Sequence, residues 1–440
     1  MRPLYKGLTS IRTYLSERGI QRRNNNCLEE KVNNFGMIIG KKAVAAGLGA
    51  YMAFVSAGFG TLACAEGEEP VDGRGDFSDV SDVNSGDDDT SDVYNSSSND
   101  DYINDDSIDG DCVIPYSGME IKKDTTFCPG EYHLSARNHY AAISLNSAKD
   151  VTLDCGGATI IGESTCREFE SGVARGGWGI AIEEQSENVT IQNCTIKNYC
   201  IGINVGDSYN IILRDLILKD NPSKDYNHFG DNIQIVSTRD VKVDGVSIEG
   251  GLNEGIYLIH SPINISIKNS SIKDVDGNGI TCCDRCEDIY LEGNYIKGVG
   301  NDGISLRETT RGQIYDNQIS DVGSAGIRIE KASEIIVSGN IVKEVDNGGT
   351  TIYLEESVGG RIWNNIFESP LFGKVAYDSS GDSNYWNILK TLETNIIGGP
   401  HIGGNFYSNY SGEDNNEDGI GEESYKISGG DSVDLSPLVE

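Results

Sequence analysis

The 440-residue sequence predicts an all-β fold: a parallel β-helix solenoid of about ten rungs, with short caps and a C-terminal acidic loop. Three observations predict it. First, an Ile, usually behind Gly, recurs at Ile180, Ile203, Ile233, Ile256, Ile280, Ile304, Ile327 and Ile352, at spacings of 23, 30, 23, 24, 24, 23 and 25. Ile143 opens the series 37 residues earlier, and Val375 extends it by 23. A period of this size marks stacked repeats. Second, each repeat alternates in period 2, as in Gly255-Ile256-Tyr257-Leu258 and Gly303-Ile304-Ser305-Leu306, which is strand periodicity. Third, two further strands follow in each repeat. One lies about ten residues on, as at Val189-Thr190-Ile191, Val241-Lys242-Val243 and Ile289-Tyr290-Leu291. The other comes behind an Asn, with Asn294, Asn317 and Asn340 spaced 23 apart. Asn tolerates left-handed backbone, and its amides stack in ladders between rungs. Rungs roughly 4.8 Å apart make a rod roughly 45–50 Å long. The Gly-Ile pairs and the Asn positions read as scaffold.

The N-terminal quarter is organised differently. Residues 43–63 are apolar and small, follow Lys41-Lys42, and end in Ala63-Cys64-Ala65, an A-x-A cleavage pattern before Glu66. The signal is ordinary if translation starts at Met37. Residues 1–36 therefore read as an upstream extension or misassigned start, and 37–65 as a signal peptide or, since the run is long enough to span a bilayer, a membrane anchor. Cys64 sits in a poor lipobox, with Thr61 where Leu is usual. Residues 66–111 are rich in Asp, Ser, Asn and Gly without periodicity, a disordered acidic linker. Residues 112–380 hold the β-helix and 381–440 the C-terminal cap.

The net charge is −34, of which residues 112–440 carry −24. Such a field repels nucleic acid and anionic lipid, so neither is an expected partner, and the membrane enters only through an uncleaved N-terminus. Nine Cys lie beyond Cys64, and outside the cell these favour disulfides. Cys112 and Cys128 bracket the first strand, and Cys155 and Cys194 sit on neighbouring rungs. Cys282-Cys283-x-x-Cys286 lacks a nearby fourth ligand for zinc.

Several stretches resemble a family. Val151-Thr152-Leu153-Asp154-Cys155-Gly156-Gly157, the Asn-Gly-Ile rungs and the tail Gly403-Gly404-Asn405-Phe406-Tyr407, Asp414 to Glu422 and Tyr425-Lys426-Ile427 are similar to secreted right-handed β-helix proteins. These are the NosD-type "periplasmic copper-binding" group and the carbohydrate-binding and sugar-hydrolase repeat class. The resemblance covers about 112–440 and implies a right-handed helix, but no single activity, because such folds host lyases, epimerases, hydrolases and inert surface proteins. A copper handler presents clustered His and Met. Here Met119, His133, His139, His228, His260 and His401 are scattered, which counts against copper delivery.

The tail also makes chemical sense alone. Asp414, Asn416 and Asp418 stand at offsets 1, 3 and 5, Gly419 at 6, the Ile420 carbonyl at 7 and Glu422 at 9. This matches the first nine positions of a calcium loop and departs at 12, where Tyr425 replaces the bidentate Glu. Calcium is therefore the expected cofactor, in a structural role.

Repeats carry function where they depart from the period. Gly162–Trp178 adds about 13 residues before the Ile180 rung, and Asn221–Gly230 adds about 7 before the Ile233 rung. Both fall at the corner between third and first strands, roughly 10 Å apart, and are expected to bound a groove along the first-strand face. Its expected substrate contacts are Trp178, Asn204, Gln234, Tyr257, Arg307, Arg328 and Tyr353. At its rim lie Asp231, Glu254 and Asp302, candidate carboxylates for hydrolysis, with Asp231 and Glu254 roughly 5 Å apart, near the separation of retaining glycosidases. His228, with Tyr257, His260 and Arg307, offers lyase or epimerase groups. No D-P-H motif and no paired Asp-Asp with G-H-G is present. The function expected is an exported surface protein that binds or processes polysaccharide or envelope glycan. Its alternatives are a lyase, epimerase or hydrolase acting on the first-strand face, and NosD-like copper-site maturation. Six sequons, among them Asn95 and Asn188, suit a surface protein.

Overall fold

A computed structural model describes residues 112–136, 140–163, 177–221, 230–346, 348–368 and 373–440. The signal, the linker, His228, His139 and the centres of both excursions lie outside the described residues. The described chain is a parallel β-helix made of three sheets. The first has eleven strands, from Met119–Glu120 to Lys374–Asp378. The second has ten, from Thr125–Thr126 to Arg361–Trp363. The third has eleven, from Glu131–His133 to Phe406–Tyr407. Through the rungs every third strand in sequence is a neighbour in space and pairs in parallel, while Thr391–Leu392 with His401–Ile402 and Tyr425–Lys426 with Val433–Asp434 form two small antiparallel pairs in the cap.

The Ile column is as periodicity requires. Ile143, Ile180, Ile203, Ile233, Ile256, Ile280, Ile304, Ile327 and Ile352 are successive register partners, all fully buried. Burying each such side chain contributes about 1.5–3 kcal/mol. At the far end the expected member was Val375, but Ala376 pairs with Ile352. The last repeat is 24 residues long, so Tyr377 turns outward beside Tyr353. A one-residue slip exchanges the two faces of a strand.

Short strands need tight corners, and the corners explain the Asn, Asp and Gly content. Immediately after the first strands, Ser147, Glu184, Asp207, Ser237, His260, Glu308, Lys331 and Glu356 all have φ of 43–60°. A second left-handed column runs Asp150, Asn188, Asn210, Asp240, Asn264 and Asp288. A third alternates Asn193, Asp215, Gly245, Asn269, Gly293, Asp316 and Gly339. Short polar side chains and Gly adopt this region most readily.

The Asn residues form the expected ladder between rungs but do not take the left-handed backbone. Residues before them, Gly293, Asp316, Gly339 and Asn364, take the positive φ. Asn294, Asn317 and Asn340 point inward and are buried. Asn294 Nδ2 donates to Asn317 Oδ1 at 2.9 Å, Asn317 to Asn340 at 2.9 Å, Asn340 to Asn365 at 2.9 Å and Asn365 to Asn405 at 2.8 Å. Each Oδ1 also accepts the backbone N–H of the preceding ladder residue, as Asn317 does from Asn294 at 3.0 Å. Asn365 and Asn405 extend the ladder beyond the regular period. The ladder ends on Asp434, whose Oδ2 accepts the Asn405 N–H at 2.8 Å and the Tyr407 hydroxyl at 3.1 Å.

Disulfides join Cys112 to Cys128, Cys155 to Cys194 and Cys282 to Cys286, and Cys200 is also disulfide-bonded. Two of the three sulfurs a metal at 282–286 would need are thus consumed. Cys283 stays a thiol, in contact with the Tyr257 hydroxyl at 3.0 Å. The C-terminal cap closes over a second buried carboxylate. Asp378 accepts from Trp386 Nε1 at 3.1 Å, from Ser432 Oγ at 2.8 Å and from Asn384 Nδ2.

Two outcomes follow from the ladder. Asn317→Ala leaves buried partners on both sides unsatisfied, and should cost about 2–4 kcal/mol in urea unfolding. Burial pushes the Asp434 carboxyl up from its ordinary 3.8 to about 7. The folded value lies above the unfolded one, so this contribution is full below about pH 4 and is lost as pH rises through about 7. The gap is worth about 4 kcal/mol. Asp434→Asn should flatten that part of the melting-temperature profile between pH 4 and 7, and an unchanged profile would exclude Asp434 as its source.

Candidate functional site

The acids at the rim of the first-strand face sit one corner before their strands, where the backbone enters from the third sheet. On that edge the side chain of each rung accepts a backbone N–H of the next. Asp231 Oδ1 accepts Glu254 N at 3.2 Å, and Glu254 Oε2 accepts Asn278 N at 2.8 Å. Asn278 Oδ1 accepts Asp302 N at 2.7 Å, and Asp302 Oδ1 accepts Ala325 N at 2.8 Å. Side chains complete the set: Asn253 and Gln234 donate to Asp231, Thr281 Oγ1 to Glu254 at 2.9 Å, and Arg328 Nε to Asp302 at 2.6 Å.

This is a second inter-rung ladder, built of three acids and the half-buried Asn278. Its acids are covered: Asp231 is 0 % exposed, Glu254 4 % and Asp302 6 %. Burial first, and the Glu254 charge second, push the Asp231 carboxyl well up. A raised carboxyl suits a general acid, but a glycosidic oxygen must reach it. Asp231 and Glu254 do stand on adjacent rungs, joined through the Glu254 backbone.

The outward column is assembled in register as Asn204, Gln234, Tyr257, Thr281, Ser305, Arg328, Tyr353 and Tyr377. Of its first four members Gln234 is half-buried and the other three are not open. Asn204, Tyr257 and Thr281 face away from the core yet are only 2 %, 6 % and 4 % exposed. Asn204 donates to Glu183 Oε1 at 3.0 Å. Farther along, Tyr353 lies between the Arg328 guanidinium, 4.7 Å from its centroid, and the stacked Tyr377 ring at 4.8 Å. Both faces that a sugar would stack on are taken. Arg328 also bonds Glu330 and Ser324. Arg307 is half-buried, in register with Glu330, and Trp178 is half-buried in register with Ala141 and Ile201. His260 is an exposed corner residue.

In the C-terminal loop, Asp414 accepts the N–H groups of Asp418 and Gly419 at 3.1 and 2.7 Å, and Asn416 Oδ1 accepts Asp418 N at 3.1 Å. Asp418 Oδ1 accepts Ile420 N at 2.9 Å, while its other oxygen pairs with Lys390. Gly419 takes the sharp turn at φ 80°. Asp414, Asn416 and Asp418 thus gather around one turn. Glu422 is exposed, and among the described residues no group of three His, Cys, Asp or Glu is placed to hold a metal.

Comparison with known proteins agrees with this geometry at the level of the fold. The family described as "Right handed beta helix region" matches residues 133–296, and "Periplasmic copper-binding protein (NosD)" matches residues 219–412. The chain is a right-handed parallel β-helix repeat protein. Among solved structures it is similar to the A-module of the Azotobacter vinelandii mannuronan C-5 epimerase AlgE6, at 13 % identity over 60 % of this chain and 83 % of that one, TM-score 0.42. A double mutant of the periplasmic alginate epimerase AlgG matches at 11 % identity over 60 % and 75 %, TM-score 0.44. An exopolygalacturonase from Thermotoga maritima matches at 10 % over 58 % and 80 %, TM-score 0.38. No curated protein matches by sequence.

The carboxylate ladder makes its own forecast. Glu254→Ala removes the acceptor of three donors, and should destabilise by about 2–4 kcal/mol. Glu254→Gln keeps acceptor capacity and should lose less. Equal melting temperatures for Glu254→Ala and the parent protein would mean that the ladder does not stabilise the stack.

Proposed function

We propose that this protein is an exported β-helix that binds polysaccharide without transforming it. One observation carries the reading: Asp231, Glu254 and Asp302, the acids that hydrolysis on the first-strand face would use, are buried and accept backbone N–H groups of the next rung. A carboxylate so held supports the stack, and moving it to a substrate would break the bonds that join rungs. Paired catalytic carboxyls must instead flank an accessible glycosidic bond. The exposed polar surface of a long solenoid suits contact with an extended chain.

The test is incubation of the purified protein with a polysaccharide panel, with product analysis beside retention on immobilised glycan. Retention is expected without new reducing ends, unsaturated ends or epimerised units. The double variant Asp231→Asn with Glu254→Gln should keep retention and lose thermal stability. Products formed by the parent protein and abolished in the double variant would overturn the reading in favour of an enzyme.

The NosD match speaks for the alternative, copper-site maturation. The donor set counts against it: Cys282 and Cys286 are joined, and no His or Met cluster accompanies them in sequence.

The C-terminal loop has a reading of its own. The side-chain oxygens of Asp414, Asn416 and Asp418 on one turn support a structural calcium ion, which would displace the Lys390 ammonium from Asp418. A ligand that binds only the folded state raises its melting temperature by mass action. Millimolar calcium should therefore raise the melting temperature relative to chelator, and Asp418→Ala should erase the difference. If calcium does not move the parent protein, the Lys390 pair alone completes the turn.

A further inference from the structure

The corner between first and second strands is not the same length in every rung. Ile182, Val205, Ile235, Leu258 and Cys282 are register partners and the last inward residues of the first strands, and Val189, Ile211, Val241, Ile265 and Ile289 mark the second. The separations read from these pairs are seven, six, six, seven and seven residues. Two short corners, in the Ile203 and Ile233 rungs, are flanked by longer ones. On each flank the extra residue makes a pair of left-handed residues, Glu184-Gln185 on one side and His260-Ser261 on the other. A corner with one more residue stands farther out, so stacking leaves a recess over the two short ones. The structure shows it as a cleft of about 500 Å³, in the range of ligand sites.

Most of the lining is exposed, whereas Asn204, Tyr257 and Thr281 on the first-strand face beside it are buried. Tyr209 and Ile263 form an apolar wall, Glu184 and Asp207 supply acceptors, Ser237 supplies a hydroxyl, and Arg239 supplies the cation. The Arg239 guanidinium already lies over the Tyr209 ring, 5.3 Å from its centroid. The floor is rigid: Asp207 N donates to Val236 O at 3.2 Å and Ser237 N to Ile259 O at 3.1 Å. Beneath it the buried Ser208 and Thr238 hydroxyls donate to the Gly206 and Val236 carbonyls, each at 2.7 Å. Ligand binding here needs little reorganisation of the backbone.

We propose that this corner recess is a binding subsite for uncharged sugar residues of a polysaccharide. The inference rests on the polysaccharide-binding reading and gives it a place and a substrate class. Sugar hydroxyls donate to Glu184 and Asp207, and the apolar C–H face lies against Tyr209 and Ile263. A uronate carboxylate meets two carboxylates and one guanidinium inside a protein of net charge −34, which disfavours it.

The chain itself supplies the test substitution. Lys331 occupies the position of Ser237 in a later rung, with the same left-handed backbone, φ 52° against 50°. Ser237→Lys therefore fills the recess without straining the corner, and Glu308→Lys, in the same column outside the cleft, is its control. Binding is measured by calorimetry with neutral tri- to hexasaccharides (cello-, xylo- and chito-oligosaccharides) and with oligogalacturonate of equal length. The expected result is binding of a neutral series, weakened at least about tenfold by Ser237→Lys and not by Glu308→Lys. The Ser237→Lys melting temperature should stay within about 2 °C of the parent. Neutral binding unaffected by Ser237→Lys would overturn the corner subsite while leaving polysaccharide binding intact. Preference for oligogalacturonate would overturn the substrate class. Absence of binding to any glycan would remove both the subsite and the function on which it rests.

Discussion

Register between rungs is the constraint on which the rest of this molecule depends. Each strand bonds only to the strands one turn before and one turn after it, so a rung that slips by one residue would turn its Ile outward and its polar residue inward. The corners prevent this. Left-handed residues such as Asp207, Ser237 and Lys331 stand two residues past the last inward residue of their first strands. The two longest repeats, 37 residues from Ile143 to Ile180 and 30 from Ile203 to Ile233, still keep these residues as register partners.

Two side-chain ladders reinforce that register from different environments. The Asn294–Asn405 ladder runs inside, where an amide that both donates and accepts can repeat indefinitely. A carboxylate only accepts, so the ladder through Asp231, Glu254, Asn278 and Asp302 runs at an edge where each acid faces a backbone N–H. The same logic explains how each ends. The Asn ladder stops at Asp434, an acceptor that has nothing to pass on, and the acid ladder stops at Arg328, which neutralises Asp302. Acids that look catalytic by position are thereby drawn into holding the stack.

This places recognition, in the reading proposed here, on the outside of a corner. On the first-strand face Asn204, Tyr257 and Thr281 are buried, and cations and rings lie over one another at Arg328, Tyr353 and Tyr377. A corner one residue shorter than its neighbours remains hollow, because nothing in the repeat is long enough to fill it. Variation in corner length is a means of making a site that leaves the core column untouched.

The sequence by itself determined the architecture. Period, alternation and corner residues are local properties, so the Ile column, the three sheets, the Cys155–Cys194 bridge and the order of the outward column from Asn204 to Tyr353 were legible in it. Its one slip in register, Val375 for Ala376, came where the Ile is replaced and two adjacent small apolar residues fit the pattern equally well. The tertiary structure alone decided what is open. Whether Tyr257 or Tyr353 offers a ring face depends on side chains one rung away, 23 to 25 residues distant in sequence, and on the rotamers they share. Asn365 and Asn405 joined the ladder through spacings of 25 and 40 that no fixed period announces. The recess over Asp207 and Ser237 likewise exists only after stacking, since it is a difference between the corners of neighbouring rungs and a property of none of them singly.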